Sequence, residues 1–190
     1  MRAVEVIEDV ARLVGDKDVL DVLLKPSDEL TEKETKAIRR YLSGVNIAVD
    51  TIASRYYANL REVVVSSDNE AKVEYLALDE RVCEIMSVKD AGGFEVDFFS
   101  LPFHLYLPKK NSKYLVKFKF LPRKVEKIDD ELEILPFIPL SAISYLMASD
   151  IFLAKNLYDE SRFWFSKFES VINQAVSSRR MRTLNFTRLI

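Results

Sequence analysis

The sequence is poor in the residues from which disulfides, metal sites and phosphate loops are built. Its 190 residues include one cysteine, Cys83, one histidine, His104, and four glycines. A single cysteine excludes an internal disulfide framework and a cysteine-built zinc site. So few glycines argue against glycine-rich phosphate loops. No Walker loop, dinucleotide fingerprint or zinc pattern occurs in the sequence.

Long hydrophobic runs are missing as well. No stretch of 18 apolar residues occurs, so we expect no membrane span and no membrane partner. The first residues are acidic and lack an apolar signal core, and we therefore expect a protein made and kept in the cytoplasm. The composition is 48% hydrophobic and 31% charged. These fractions are ordinary for a globular protein and too apolar for a disordered one.

Acidic residues are absent from the last part of the sequence. Residues 1–169 hold all 30 acidic residues and 24 of the 28 basic ones, which gives them a formal net charge of −6. The segment after Glu169 contains four arginines and no acid. This asymmetry is the first indication of a partner for the basic segment.

Both ends of the sequence predict helices. Apolar residues at three- and four-residue spacing indicate a first helix over Ala3–Val14, with Gly15 as its left-handed stop. A capping box of Thr31 and Glu34 begins a second long helix. Pro139 is well placed in the first turn of a later helix.

The middle of the sequence alternates between apolar and polar residues, which predicts strands. Asp90–Gly93 is a hairpin turn, and Phe94–Phe98 would be the returning strand. The clearest strand is Lys113–Leu121. Its aromatic and apolar face holds Tyr114, Val116, Phe118 and Phe120, and its opposite face holds Lys113, Lys117 and Lys119.

These signals predict an α+β fold, in which a helical bundle carries an inserted, mostly antiparallel β-sheet of five or six strands. Residues 1–60 and 136–178 would form the bundle, and residues 61–135 the inserted sheet. Residues 179–190 would form a C-terminal arm.

The last predicted helix is apolar over more than one narrow stripe. Such a helix needs cover on two sides, from its own bundle and from a neighbouring subunit. The candidates for a subunit interface are therefore its aromatic residues, Phe163, Trp164, Phe165 and Phe168.

A search for catalytic groups finds little. His104 and Cys83 lie on different predicted strands with no third residue to orient them, so a Cys–His enzyme is not expected. An acidic cluster could bind a metal ion, although a solvated loop before a helix explains it better. Its members are Asp129, Asp130, Glu131 and Glu133. We expect no enzyme activity, no cofactor and no metal.

The lysine face of the Lys113–Leu121 strand offers an alternative function, a binding module that contacts nucleic acid through its sheet. The aromatic residues of that strand share the opposite face, as core residues do. The sequence pI of about 5.6 also argues against nucleic-acid readout.

The C-terminal arm is the strongest candidate for a docking segment, because it mixes cations with large apolar side chains. We interpret it as an arm that orders on an acidic partner surface, although a frayed terminus or a segment folded on its own domain would fit the same pattern. Its docking residues would be Arg179, Arg180, Met181, Arg182, Leu184, Phe186, Arg188, Leu189 and Ile190.

The order of these features resembles a known family. An N-terminal helical pair precedes an inserted sheet that contains Leu78–Val88. Leu135–Pro139 then leads into Ser144–Ile151, and Asn156–Glu160 leads into the aromatic helix. This arrangement resembles the head-to-tail adaptor proteins of tailed bacteriophages, also called connector, head-completion or tubular tail proteins.

The resemblance implies a structural protein of the virion, assembled in the host cytoplasm. It implies a closed ring of about twelve copies beneath the portal protein, with unlike faces between neighbouring subunits. The ring would stack on the next tail or nozzle protein, and DNA would pass through its lumen as non-specific cargo. The arm would dock on the portal.

Overall fold

The structure is a computed structural model that describes residues 1–26, 29–78 and 81–186, with side chains described as far as Ser177. Within these residues the chain forms five α-helices and two antiparallel sheets of three strands each. The predicted α+β class is thus confirmed. The chain divides into a helical unit, Met1–Ile52 with the described residues from Arg123 onward, and a strand unit, Ala53–Pro122.

The helices of the helical unit begin and end close to their sequence signals. The first ends at Gly15, whose φ of 71° is left-handed as predicted. A short π-helical turn, Ile52–Tyr56, continues from the third helix. The five helices are α1 (Ala3–Val14), α2 (Lys17–Leu23), α3 (Glu32–Thr51), α4 (Leu140–Ala154) and α5 (Tyr158–Phe186).

The capping box at the start of α3 is present in full. The Thr31 hydroxyl accepts from the Glu34 amide at 3.3 Å, and the Thr31 amide donates to the Glu34 carboxylate at 2.8 Å. The Lys25 ammonium donates to the same carboxylate at 2.6 Å. These contacts, Lys25 first and Thr31 second, lower the pKa of Glu34 to about 2.

Helix α4 is the central helix of the helical unit. It has no polar face and contacts α1, α3 and α5. Pro139 immediately precedes it, and Asn156, with a φ of 60°, follows its end. The Ser149 hydroxyl donates to the Ser161 carbonyl of α5 at 3.0 Å, which satisfies a buried polar group. The buried residues of α4 are Ala142, Ile143, Ser144, Leu146, Met147, Ala148 and Ser149.

The segment before α4 packs with the helices, although the sequence predicted it to be part of the inserted sheet domain. The carbonyls of Ile128 and Asp130 accept from the amides of Val4 and Ala3, at 2.7 and 3.0 Å. Because the first amides of a helix lack partners within the helix, this segment satisfies the start of α1. The unit boundaries therefore lie at Ile52 and Arg123, rather than near residues 60 and 136.

The strand unit holds two sheets where the sequence predicted one sheet of five or six strands. Their strand orders are β1–β6–β3 and β2–β5–β4, and both sheets contribute side chains to one core. The strands are β1 (Asn59–Ser66), β2 (Lys72–Glu74), β3 (Arg81–Asp90), β4 (Phe99–Ser100), β5 (His104–Tyr106) and β6 (Lys113–Leu121).

The expected returning strand, Phe94–Phe98, is not formed. The turn before it is present, with the Asp90 carboxylate accepting from the amides of Gly92 and Phe94. Only a single bridge, between Lys89 and Glu95, follows this turn. Val96 and Phe98 pack against the core instead, and the chain pairs again as β4, in the second sheet.

The two faces of β6 are as predicted. Its apolar face is buried in the core of the strand unit, with Phe118 completely inaccessible. Its lysines lie on the other face of the sheet, across from β1 and β3. The alternation in the sequence therefore predicted the burial of this strand correctly.

Two phenylalanines of α5 give a test of which face of that helix is buried. The Phe168 ring is wholly buried, and the Phe163 ring is 53% exposed. Phe168→Ala should therefore lower the free energy of unfolding by about 3–5 kcal/mol. Phe163→Ala should lower it by less than about 1 kcal/mol. Denaturant unfolding followed by circular dichroism measures both values, and equal losses would contradict this arrangement.

The capping box predicts a pH dependence of stability. The folded-state pKa of Glu34 is depressed, so its contribution is present above the ordinary value of 4.5 and is lost as the pH falls through about 2. Glu34→Gln should therefore lower the thermal midpoint at neutral pH and match the wild type near pH 2. Glu32→Gln, in the same helical turn, is the control. A difference that persists unchanged at pH 2 would disprove the assignment.

Candidate interaction surfaces

The predicted arm begins as helix. Residues 179–186 belong to α5, and Arg188, Leu189 and Ile190 lie outside the described residues. Helix α5 has 29 residues and α4 has 15 residues. At a rise of about 1.5 Å per residue, α5 is about 43 Å long and α4 about 22 Å. Because the two helices run antiparallel from a short turn, the C-terminal half of α5 extends beyond the length that α4 can cover.

The four aromatic interface candidates of α5 fall into different environments. Phe163 and Phe165 are exposed, and Trp164 is half-buried against Tyr145, with 5.3 Å between the ring centroids. Phe168 is fully buried in the helical unit. Its proposed role at a subunit interface is therefore wrong, because a neighbour could reach it only if the unit unfolded.

Two of the three lysines on the lysine face of the first sheet are ion-paired with neighbouring strands. Lys117 lies 3.3 Å from the Glu62 carboxylate of β1, and Lys119 lies 2.5 Å from Glu84 of β3. The aromatic residues of β6 point into the core, where no base could stack on them. These contacts weigh against the alternative function of a nucleic-acid module that uses this sheet.

The acidic cluster before α4 is used locally. The Asp130 carboxylate accepts from the amides of Lys127 and Glu126, both at 2.9 Å, and these bonds lower its pKa. The Glu133 carboxylate accepts from the Arg123 amide at 3.0 Å. Among the residues that the structure describes, no group of three or more His, Cys, Asp or Glu side chains could hold a metal ion.

His104 and Cys83 lie in different sheets of the strand unit. His104 is in β5, and its Nε2 lies 4.0 Å from the Glu74 carboxylate. Cys83 is exposed on β3. The structure thus places the two residues in separate elements, as the sequence indicated.

A groove between α3 and α4 was not anticipated from the sequence. Its volume is about 370 Å³, and a Cβ at Gly44 would approach the Met147 side chain to 3.0 Å, so glycine allows these helices to pack closely. Ile47 is exposed in this groove and lies outside the buried stripe of α3. An apolar residue at such a position was the signal in the sequence that could have indicated the groove. The groove is lined by Asp16, Arg40, Tyr41, Gly44, Ile47, Met147, Asp150, Ile151, Ala154 and Lys155.

Two ionisable groups of this groove have shifted pKa values. The Tyr41 hydroxyl donates to the Asp16 carboxylate at 2.9 Å, and burial, followed by this contact, raises the pKa of Tyr41. Asp150 remains accessible to solvent, yet partial desolvation in the groove raises the pKa of its carboxyl. The groove therefore holds a carboxylate that is less well solvated than those on an open surface.

The second sheet carries a small apolar cluster that we call the aromatic surface, in which Tyr75, Leu76 and Phe103 line one pocket with Glu74 and His104. Leu76 is 86% exposed and Phe103 is 76% exposed. The Tyr75 amide donates to the Phe103 carbonyl at 3.1 Å, and the Tyr75 and Ser100 hydroxyls are hydrogen-bonded, so hydrogen bonds hold the cluster in place. The sequence predicted only short strands here.

Fold and surfaces together define an α+β protein with a helical unit and a strand unit. No protein-family model matches the sequence, and no curated protein matches it. No helix within the described residues has the length and apolar character needed to cross a membrane. Any function must therefore be argued from the surfaces themselves.

Asp150 supplies a test of the groove. Below the ordinary pKa of 3.8 its carboxyl is neutral in both the folded and the unfolded chain, so it does not destabilise the fold. As the pH rises through the raised folded-state pKa, the carboxyl must ionise in the groove, and the folded state loses stability. Asp150→Asn should therefore raise the thermal midpoint at neutral pH and leave it unchanged at pH 3. Asp129→Asn, on an exposed loop, is the control. A loss of stability at neutral pH would contradict the prediction.

Proposed function

We propose that this chain is a structural virion protein, a head-to-tail adaptor that forms a ring of about twelve copies between the portal and the tail. In this proposal the five helices act as one bundle interrupted by the strand unit. The observation that supports it most is the C-terminal helix pair. Its second helix continues well past its partner, and its last residues begin the segment 179–190, which has four arginines and no acid.

The partners follow from the charge distribution. The basic, apolar segment 179–190 would dock on an acidic surface of the portal, where its arginines gain carboxylate partners and its apolar side chains are buried. The net negative charge of residues 1–169 suits a lumen through which DNA slides, because a strongly basic channel would hold the phosphates. The next tail or nozzle protein would contact the opposite side of the ring.

The exposed aromatic residues Phe163 and Phe165 remain candidates for contacts between neighbouring subunits. Phe163 stacks beneath Lys167, whose ammonium lies 5.4 Å from the ring centroid. Aromatic residues are enriched at the centre of protein interfaces. Trp164 would support Phe163 from behind, because their ring centroids are 5.1 Å apart.

Removal of the arm tests the proposal. A chain truncated after Ser178 should keep its fold, measured by circular dichroism and thermal unfolding, and should no longer attach to portal-bearing heads in co-sedimentation. The matched control removes four exposed lysines from elsewhere in the chain, Lys109, Lys110, Lys113 and Lys124, and should attach normally. Normal attachment of the truncated chain would overturn the portal-docking role.

Electron microscopy of assembled particles tests the ring itself. Density for this chain should form a closed ring directly below the portal. Density elsewhere in the particle, or the absence of the chain from particles, would overturn the proposed function as a whole.

A further inference from the structure

Strand β1 lies at one edge of the first sheet and is regular over its whole length. It pairs with β6 in an unbroken antiparallel register over Asn59–Ser66. The amide of Ser67, directly after the strand, donates to the Ser112 carbonyl at 2.9 Å, so the backbone of Ser67 faces β6. Because successive residues of a strand direct their backbone groups to opposite edges, four residues of β1 direct theirs away from β6. They are Leu60, Glu62, Val64 and Ser66.

The outward amides and carbonyls of these four residues form the outer edge of β1. Among the residues that the structure describes, none donates to them or accepts from them. The side chains at this edge are exposed as well, with Leu60 at 53% and Val64 at 64%. A row of unpaired backbone groups on an extended strand is a template for a further strand.

The other described edges of the strand unit are protected. Strand β3, at the opposite edge of the first sheet, has two irregularities in its register, and the Val96 amide donates across its far end to the Val88 carbonyl. Strands β2 and β4 have only three and two residues. Bulges, cover and shortness are the usual means of preventing edge pairing. Strand β1 has none of them, and it contains no proline or lysine.

The two charged side chains of β1 are directed back over its own sheet. The Arg61 guanidinium lies 4.7 Å from the centroid of the Phe120 ring of β6. The Glu62 carboxylate lies 3.3 Å from the Lys117 ammonium, also of β6. Charges that project across an edge discourage pairing. Both charges here are held on the side of β6, so the outer edge of β1 stays open to a strand.

We propose that the outer edge of β1 pairs antiparallel with the same edge of a second copy of this chain, about a two-fold axis at Val63. This register uses all four outward residues of each copy and forms about eight backbone hydrogen bonds. Leu60 then lies opposite Ser66 of the second copy. Glu62 lies opposite Val64, so no two like charges face each other directly.

A second copy suits this edge better than a strand from another protein. An added foreign strand would present an unpaired outer edge of its own, whereas two copies of β1 remove both open edges at once. The resulting sheet of six strands ends at β3 on both sides. Those ends already carry the irregularities that prevent further pairing.

This contact goes beyond the proposed ring. It is isologous, because both copies use the same surface, whereas neighbours in a closed ring of many copies meet through unlike surfaces. The β1 contact therefore belongs to the free chain, which it holds as a dimer before the chain joins a ring.

Sedimentation velocity over rising concentration tests the contact in the full chain. The wild type should form a reversible dimer and no longer series, because a two-fold contact closes. Val64→Pro removes an outward amide and leaves the bonds between β1 and β6 in place. It should therefore dimerise at least about tenfold more weakly. Val64→Thr keeps the amide and is the matched control, which should dimerise like the wild type.

Disulfide crosslinking tests the register without a proline. In a Cys83→Ser chain, Val63→Cys places a cysteine opposite its own copy, with Cα atoms about 4.5 Å apart, which a disulfide can span. Leu60→Cys is the control, because its two copies lie roughly 20 Å apart in this register. Under mild oxidation, the cysteine at position 63 should crosslink about tenfold or more faster than the cysteine at position 60.

Three results would each overturn the proposal: a wild-type chain that stays monomeric at the highest concentration, dimerisation that a folded Val64→Pro chain retains in full, and equal crosslinking of the two cysteine variants. Circular dichroism shows whether Val64→Pro is folded, and for an unfolded variant the crosslinking rates decide. A monomeric wild type whose attachment to portal-bearing heads is blocked by Val64→Pro would overturn the proposal in favour of a strand from another protein of the particle.

Failure of this contact and failure of the proposed function are distinguishable. Dimers of the free chain that crosslink at position 63, in a chain that never joins particles, would confirm the contact and overturn the adaptor role. A ring in particles, built from a chain that is monomeric in solution, would overturn the contact and leave the adaptor role standing.

Discussion

The helical unit depends on the burial of α4. This helix includes no charged residue other than Asp150, so a stable helix at this position requires neighbours on nearly every side. Helices α1, α3 and α5 provide them. The exception is informative: Asp150 lies where α3 and α4 leave a groove, and partial desolvation there raises the pKa of its carboxyl.

Cover for α4 brings together segments that are far apart in the sequence. Helices α1 and α3 precede the strand unit and α4 follows it, so the chain must return to the helices after β6. The segment from Arg123 makes this return, and it supplies carbonyls to the free amides at the start of α1. The Asn46 side chain of α3 binds the same segment through both the amide and the carbonyl of Val125, at 2.8 and 2.9 Å. Hydrogen bonds to its backbone, in addition to apolar packing, therefore hold the segment from Arg123 against the helices.

The exposed surfaces carry more functional meaning than any cluster of titratable groups. Lys117 and Lys119 of β6 are paired, and the acids before α4 accept from backbone amides. What remains is a long C-terminal helix that ends in a basic segment, an apolar groove between α3 and α4, and exposed apolar side chains on the second sheet. Such surfaces suit a protein that acts through assembly.

Local signals in the sequence determined the elements that need only neighbouring residues. The bounds of α1, the Gly15 stop, the capping box of α3 and the buried face of β6 depend on spacing and capping within a few residues, and all were predictable. Only the tertiary structure decided what depends on distant partners: two sheets rather than one, the place of the segment after Arg123, the burial of Phe168, and the groove beside Ile47. The pairing of strands and the cover of a helix face are set by residues that the sequence separates and the fold brings together, and no local pattern records them.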